Sequence, residues 1–439
     1  MIYDLYVTKP QGDVTTQLRL LVTEEGKRAT GKFVTLVHGE RQKDDKLPPS
    51  QYDRYIENIM PTLASLHLKP TDPDFSLFPP GSWFLQFEFT LAKPWMSKDD
   101  DPFYVAASVN PVRKDKVFKV PFMAASSWKG LLRWTLMHIR LTQKNNELSP
   151  QRFAQERFVQ TLLFGDEQGE EPGRVKGFAE YLNALNPEAR AEYERLLRRH
   201  FGVDPKDPLP HHSGRLYFYP TFFDQIDVEV INPHSRQTRA GINPIYLECV
   251  PEGAKGTFSL LYVPFDLIGR NQAEIKEQAL ADLQLVAEGI EALFLTYGFS
   301  AKRTSGYGVA KENVENGFVC LRMEGISPPP VAPSPAAEPS LPKYLQAPGK
   351  LKDEYLNPDG TFRERSQAEL AKMSKSQRQE YEKAKKWWER EGKALAEKPA
   401  EPVLPEQLPK PQPQWLKREF SSLDELLSIA ENLAQGGEA

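Results

Sequence analysis

The stretch Tyr297–Lys311, YGFSAKRTSGYGVAK, holds Gly298, Gly306 and Gly308 beside Lys302, Arg303 and Lys311, and contains no acid. Glycines let a backbone approach a phosphate closely, and its N–H groups with Lys or Arg can then cradle the anion. Ser300, Thr304 and Ser305 add hydroxyl donors, and Tyr307 stands between the last two glycines. The loop follows a helical pattern, and G-x-x-x-x-G-K-[ST] is absent, so it is neither a Walker loop nor a dinucleotide fingerprint. A second feature is charge. Residues 113–144 carry eight cations (Arg113, Lys114, Lys116, Lys119, Lys129, Arg133, Arg140, Lys144) against one acid, Asp115. Such a stripe suits phosphate, unless the fold brings balancing acids close. The third is residues 229–256, where two Asn-Pro pairs bracket Arg236 and Arg239, with His234 just before them. A turn-bounded arm with two arginines suits a grip on nucleic-acid backbone or base faces; the plainer reading is a hairpin tip kept soluble by its arginines.

The chain that must position these residues has 439 residues, room for two or three domains. Its net charge of −4 excludes a uniformly basic nucleic-acid coat, and 40% hydrophobic residues make most of it globular. Two cysteines, Cys249 and Cys320, exclude a disulfide scaffold and a cysteine-based zinc site. No signal-peptide pattern opens the chain and no run approaches ~18 apolar residues, so a soluble cytoplasmic protein is expected.

Residues 1–80 read as a β-rich element, from the runs Tyr3–Val7, Leu18–Val22 and Phe33–Val37. Trp83–Leu91 alternates as a half-buried strand. A helix is expected from about Trp128 to Leu141, capped by Ser126 or Ser127. Residues 149–212 are charged and helical, an insertion. Strands return at 214–219 and 256–263. A helix over 273–296 buries Ala279, Leu283, Val286, Ile290 and Leu293 as one stripe. A strand at 318–323 closes the globular part. This order predicts an α+β fold, with helices on one face of an antiparallel sheet. Beyond Ile326, seven prolines in 328–342 and six in 399–413 flank a charged helical stretch over 362–398. An amphipathic helix, SSLDELLSIAENLA, capped by Ser421 or Ser422, ends the chain; such a tail is expected to lie along a partner or stay loose.

VPFMAASSWKGLLR, LLFGDEQG, GRLYFY, the Arg-bearing arm leading into ECVPEGAKGTF, and GFSAKRTSGYG occur in this order. Together they resemble the RAMP superfamily of CRISPR-associated proteins, most closely the backbone subunits of type III effector complexes, over about Trp83–Met323. The resemblance implies a ferredoxin-like, RNA-recognition-motif-like domain over 81–326, with the insertion at 149–212 and an extension over 327–439. It implies a guide RNA, a target RNA paired to that guide, and other effector subunits as partners. It places guide phosphates at Ser126, Ser127, Lys129 and Arg133 and at Lys302, Arg303, Ser305, Gly306, Tyr307 and Gly308. Arg236 and Arg239 would reach toward the guide or a neighbouring subunit. Target-cleaving members of the family carry an aspartate just before an Asn-Pro-Val-like turn; here Val109 precedes Asn110. Asp99, Asp100 and Asp101 lie upstream in the same stretch. They form either an exposed acidic turn or a metal-dependent nuclease site activating a 2′-hydroxyl. A metal-free guide-processing ribonuclease using His211, His212 or His234 as base is the least supported reading, because adjacent strand side chains face opposite ways. No cofactor is expected, and Mg²⁺ enters only with the nuclease alternative.

Overall fold

The computed structural model describes residues 13–21, 26–39, 49–68, 70, 73–104, 109–166, 177–232, 237, 241, 244–322, 345–347, 350–357, 361–392 and 415–435. They form two units, one of residues 1–327 with 414–439 and one of residues 328–413.

The N-terminal segment is helical: α1 (Val14–Leu20), α2 (Gly26–Val37) and α3 (Gln51–Ser65). This corrects the β-rich reading. Val14, Leu18 and Leu21 are buried at a spacing of four and three, as are Ala29, Phe33 and Leu36, so each short apolar run is the visible part of a helical stripe. Tyr3–Val7 lies outside the described residues. Helix α3 starts with a capping box between Ser50 and Asp53.

Strand β1 (Trp83–Leu91) buries Leu85, Phe87, Phe89 and Leu91 on one face and only partly covers Gln86, Glu88 and Thr90 on the other. Short strands β2 (Val109–Asn110) and β3 (Phe122–Met123) lead into α4 (Ala125–Met137). Between Ser149 and His212 the chain forms α5 (Pro150–Phe164), α6 (Phe178–Leu185) and α7 (Ala189–Phe201). These helices share a separate small core that includes Phe153, Leu182, Tyr193 and Leu197. Then follow β4 (Leu216–Phe218), β5 (Thr221–Phe222), β6 (Asp227–Ile231), β7 (Ile245–Cys249), β8 (Lys255–Tyr262), α8 (Gln272–Glu291) and β9 (Ala310–Arg322).

The main sheet runs β9-β1-β8-β4, antiparallel throughout, with a further strand, β10 (Trp415–Ser422), outside β9. With α4 after β1 and α8 after β8, the chain traces β-α-β-β-α-β in the spatial order 4-1-3-2. That is a ferredoxin-like fold, and the architecture is α+β as expected. Trp128, Leu132 and Leu136 of α4 and Leu283, Val286 and Ile290 of α8 enclose the main core against Leu85, Phe87 and Phe258.

A second sheet, β2-β7-β6, is built around the β6–β7 hairpin. Helix α3 braces it: Asp53 Oδ1 accepts from Ile226 N–H, while the hydroxyls of Tyr52 and Tyr55 donate to the carbonyls of Lys119 and Phe118.

Helix α9 (Leu423–Ala434) follows β10, capped by Ser422, whose hydroxyl accepts from Glu425 N–H. Leu423, Leu426, Ala430 and Leu433 are buried, and α9 packs against α8. The expectation of a loose or partner-bound tail is thereby corrected for residues 415–435. The other unit contains helices Gln367–Lys372 and Lys375–Trp387, with Tyr355, Phe362, Tyr381 and Ala384 as its small core.

Candidate nucleic-acid interface

Helix α4 begins one turn earlier than its serines suggest. Ala124 is the N-cap and supplies no side-chain acceptor, so Ser126 and Ser127 lie inside the first turn rather than capping it. The N–H groups of Ser127 and Trp128 both reach the Ala124 carbonyl, while those of Ala125 and Ser126 have no partner among the described residues. Bare N–H groups at the positive end of a helix dipole form a place for an anion. The start of the helix is held rigidly. Trp128 is fully buried, stacked on Phe294 and against Phe299, and its Nε1–H donates to Thr221 Oγ1 at 3.0 Å.

Opposite lies the glycine-rich loop. Helix α8 ends in a wider turn at Tyr297, and Gly298 reverses the chain with φ +71°. Ser300 hydroxyl accepts from Met96 N–H at 2.7 Å, Ala301 N–H donates to the Met96 carbonyl, and Gly308 N–H donates to Pro94 carbonyl. These bonds clip the loop to residues 94–97, just past the end of β1. Gly308 has φ +70°, and a Cβ there would come within 2.2 Å of the Ser300 Cβ, so its role is close approach of two backbones. Gly306, with φ +81°, faces open space. At the exposed tip Lys302 adopts φ +61°, a left-handed conformation uncommon for a side chain with a Cβ. Ser305 is exposed beside it.

Arg303 and Tyr307 turn inward. The Arg303 guanidinium lies 4.5 Å from the Trp134 ring centroid, and the Tyr307 hydroxyl donates to Glu229 Oε1 at 3.3 Å. Burial and the nearby Glu229 charge push that hydroxyl's pKa up.

The start of α4, the loop and residues 95–97 enclose a cavity of about 330 Å³. Its floor is apolar (Trp95, Met96, Met123, Phe299), and Ser97, Arg113, Ser126, Ser127 and Gly130 stand around it.

The basic stripe is largely spent within the fold. Lys114 is buried with Glu248, to which it donates, and burial lowers its pKa while Glu248 opposes the shift. Lys116 pairs with Asp101 at 2.5 Å. Arg133 donates to the carbonyls of Gly165 and Asp166 and lies over Phe178. Arg140 is bridged between Glu156 and Glu288. Arg113 and Lys129 have no carboxylate partner among the described residues, and both flank the start of α4. Desolvation, and then the Arg133 charge, lower the Lys129 pKa. Of the residues expected at phosphates, Ser126 and Ser127 line the cavity, Lys302, Ser305 and Gly306 are exposed in the glycine-rich loop, Lys129 is half-buried in α4, and Arg133, Arg303, Tyr307 and Gly308 make contacts within the fold.

Arg236, Arg239 and His234 lie outside the described residues, in the segment joining β6 to β7. Asp99, Asp100 and Asp101 form a turn, with Asp101 N–H donating to Asp99 Oδ1 and Asp100 lying 3.6 Å from Lys98. Among the described residues no cluster of three or more His, Cys, Asp or Glu is arranged to hold a metal ion. His211 and His212 both engage Asp166, the first through its ring at 3.1 Å and the second through its backbone N–H.

Two features had no local signal in the sequence. The first is the cavity floor, because Trp95 and Met96 follow a strand and read as core. The second is a buried charge network around Arg215. Its guanidinium donates to both Asp266 oxygens and to Asp282 Oδ2 at 2.7 Å, and His200 of α7 meets Asp266 at 2.8 Å. This network ties the helical insertion to the sheet.

The RAMP superfamily model matches residues 102–311. No curated protein matches the chain. Among solved structures, the type III-B Cmr-beta complex bound to cognate target RNA is 13% identical, with 62% of this chain and 69% of that one covered and a TM-score of 0.26. Cmr6 from Pyrococcus furiosus is 15% identical, with 52% and 99% covered and a TM-score of 0.25. A CRISPR RNA-guided surveillance complex is 13% identical, with 57% and 72% covered and a TM-score of 0.31. Among the described residues no helix is long and apolar enough to cross a membrane. The segment that resembles the RAMP superfamily runs from just past the acidic turn through α4, the helical insertion and the second sheet to the glycine-rich loop.

Proposed function

We propose that this protein is an RNA-binding subunit of a type III CRISPR ribonucleoprotein effector, holding the guide RNA by its backbone so that a target RNA can pair with it. One observation carries the reading. Within residues 102–311, the uncapped start of α4 lines one cavity with the foot of the loop that carries the exposed Lys302, and Lys129 of α4 has no carboxylate partner among the described residues. Such a surface grips phosphates without reading bases, and sequence selection passes to base pairing. Neighbouring subunits of the effector are the proposed protein partners, and Arg236 and Arg239 the proposed reach toward guide or neighbour.

The scaffold reading needs no cofactor. The nuclease alternative would use Asp99–Asp101 with Mg²⁺. It is the weaker proposal because Asp100 and Asp101 already face Lys98 and Lys116.

The test is the salt dependence of single-stranded RNA binding. Lys129→Ala and Lys302→Ala should each weaken binding and flatten the slope of log K against log salt by about 0.7. Unchanged slopes in both variants would falsify the phosphate assignment. Mg²⁺-dependent cutting of a complementary target that disappears in Asp99→Asn/Asp100→Asn/Asp101→Asn would replace the scaffold with the nuclease.

A further inference from the structure

Hydrogen bonds fasten the glycine-rich loop at its feet but not at its tip. Ser300 and Ala301 are tied to Met96, Gly308 to Pro94 and Tyr307 to Glu229. Between these feet, Ser305 N–H donates to the Lys302 carbonyl and Gly306 N–H to the Arg303 carbonyl. Among the described residues no hydrogen bond joins residues 302–306 to another element. What holds the tip is the Arg303 guanidinium, 4.5 Å from the Trp134 ring centroid. Its Nη1 is buried with no hydrogen-bond partner among the described residues, so the ring face is its anchor. Tryptophan is the strongest aromatic partner for a cation, and a planar guanidinium can stack on it where an ammonium cannot.

Trp134 is itself fixed from several sides. Its ring stacks on that of His138, one turn along α4, at 5.0 Å with the planes 8° apart. Tyr297, the residue before Gly298, meets it edge-on at 5.5 Å, and the Tyr297 hydroxyl accepts from Gln143 Nε2 at 3.2 Å. Trp134 also packs against the small core of the helical insertion. Arg303 opens the tight turn Arg303–Ser305 and Lys302 is the residue before it, so an anchor on Arg303 fixes the backbone from which Lys302 and Ser305 project.

We propose that Trp134 is a positioning residue for the RNA grip: it holds Arg303, Arg303 holds the turn, and the turn sets where Lys302 and Ser305 stand. Trp134 and Arg303 act without touching RNA, and the helical insertion supports the loop through Trp134. The proposal rests on the RNA-binding reading and deepens it, since it names what keeps the exposed lysine in place.

The test pairs binding of a fluorescent single-stranded RNA by the full-length protein with limited trypsin digestion read by mass spectrometry. Trypsin cuts after Lys302 and Arg303, so nicking there reports on the loop in the absence of RNA. Trp134→Leu should speed that nicking and weaken RNA binding, each by about three- to tenfold, the range of one cation–π contact. Trp134→Phe, which keeps a ring face, should restore most of both. Arg303→Lys keeps the charge and loses the stack, so it should behave like Trp134→Leu, and it decides the matter if the leucine variant folds poorly. In a Lys302→Ala/Ser305→Ala background, Trp134→Leu should cause no further loss of RNA affinity. An Arg303→Lys protein that binds RNA and resists trypsin as the wild type does overturns the proposal. Faster nicking with unchanged RNA affinity also overturns it, leaving the ring a purely structural contact. So does a Trp134→Leu loss that persists in full in the double-alanine background, which would make the ring an RNA contact of its own. Wild-type protein that binds no RNA removes the RNA-binding reading itself.

Discussion

At the scale of single residues, loop geometry separates cations that are free to bind from those that hold the fold. Lys302 pays for its position in backbone strain, with φ +61° where glycine would be at ease. Lys302→Gly should therefore keep chemical stability within about 1 kcal/mol of wild type, on the stabilising side, while RNA binding weakens. A large loss of stability, read from a denaturant midpoint, would mean that the lysine packs rather than binds. Gly308→Ala should behave oppositely, losing about 3 kcal/mol because a Cβ collides with Ser300 at a positive φ. Asp266 gives the pH dependence. Burial alone would raise its pKa, but the bonds from His200 and Arg215 and their charges win and hold it below the usual carboxylate range. A carboxylate depressed in the folded state contributes stability that is fully present above its unfolded pKa, near 4, and is lost as pH falls below that value. Asp266→Asn should cost about 1.5–3 kcal/mol at pH 7, by weakening the charged bonds to Arg215 and His200 and leaving Asp282 as the carboxylate on Arg215, and the gap from wild type should narrow as pH drops below about 4. A gap that is constant from pH 7 to pH 3 would remove the ionised carboxylate from the explanation.

At the scale of elements, the long periodic segments were readable and the short ones were not. Strand β1 and helix α8 span enough residues for alternation or a helical stripe to be unambiguous, and both fold as their patterns require. Helices α1 and α2 failed that test because two or three apolar residues in a row look like a strand when their helical neighbours, such as Val14 or Ala29, are read as loop. The charged insertion was legible as helix, but not its tie to the sheet through His200 and Asp266, a contact between residues 66 apart in sequence. The C-terminal helix was legible as amphipathic, yet its partner was not, because an apolar stripe says that something covers it without saying what. Since that partner is α8 of the same chain, Leu426→Ala should cost about 2–5 kcal/mol in the isolated protein. An unchanged unfolding midpoint would mean that α9 is undocked in solution.

At the scale of the whole molecule, the fold treats residues 323–414 as a passenger in a hairpin. Trp415 pairs with Arg322 across β9 and β10, so the chain leaves and re-enters the sheet at adjacent positions. Replacing 323–414 with a turn of about two to five residues should leave the sheet and its thermal midpoint intact. An insoluble or unfolded product would show that residues 323–414 are needed to build the first unit.

The sequence by itself determined the kinds of chemistry available, a glycine-rich basic loop and a helix start near lysines, and the order of the elements that carry them, because both depend on local spacing. Which cations remain available was decided only by the tertiary structure. Lys114, Lys116 and Arg140 meet Glu248, Asp101 and Glu288, and Arg133 meets backbone carbonyls, through contacts that no local pattern encodes. The cavity is of the same kind. Its floor, its rim and its mouth come from four separate stretches of chain, and a hollow exists only where packed elements fail to fill the space between them.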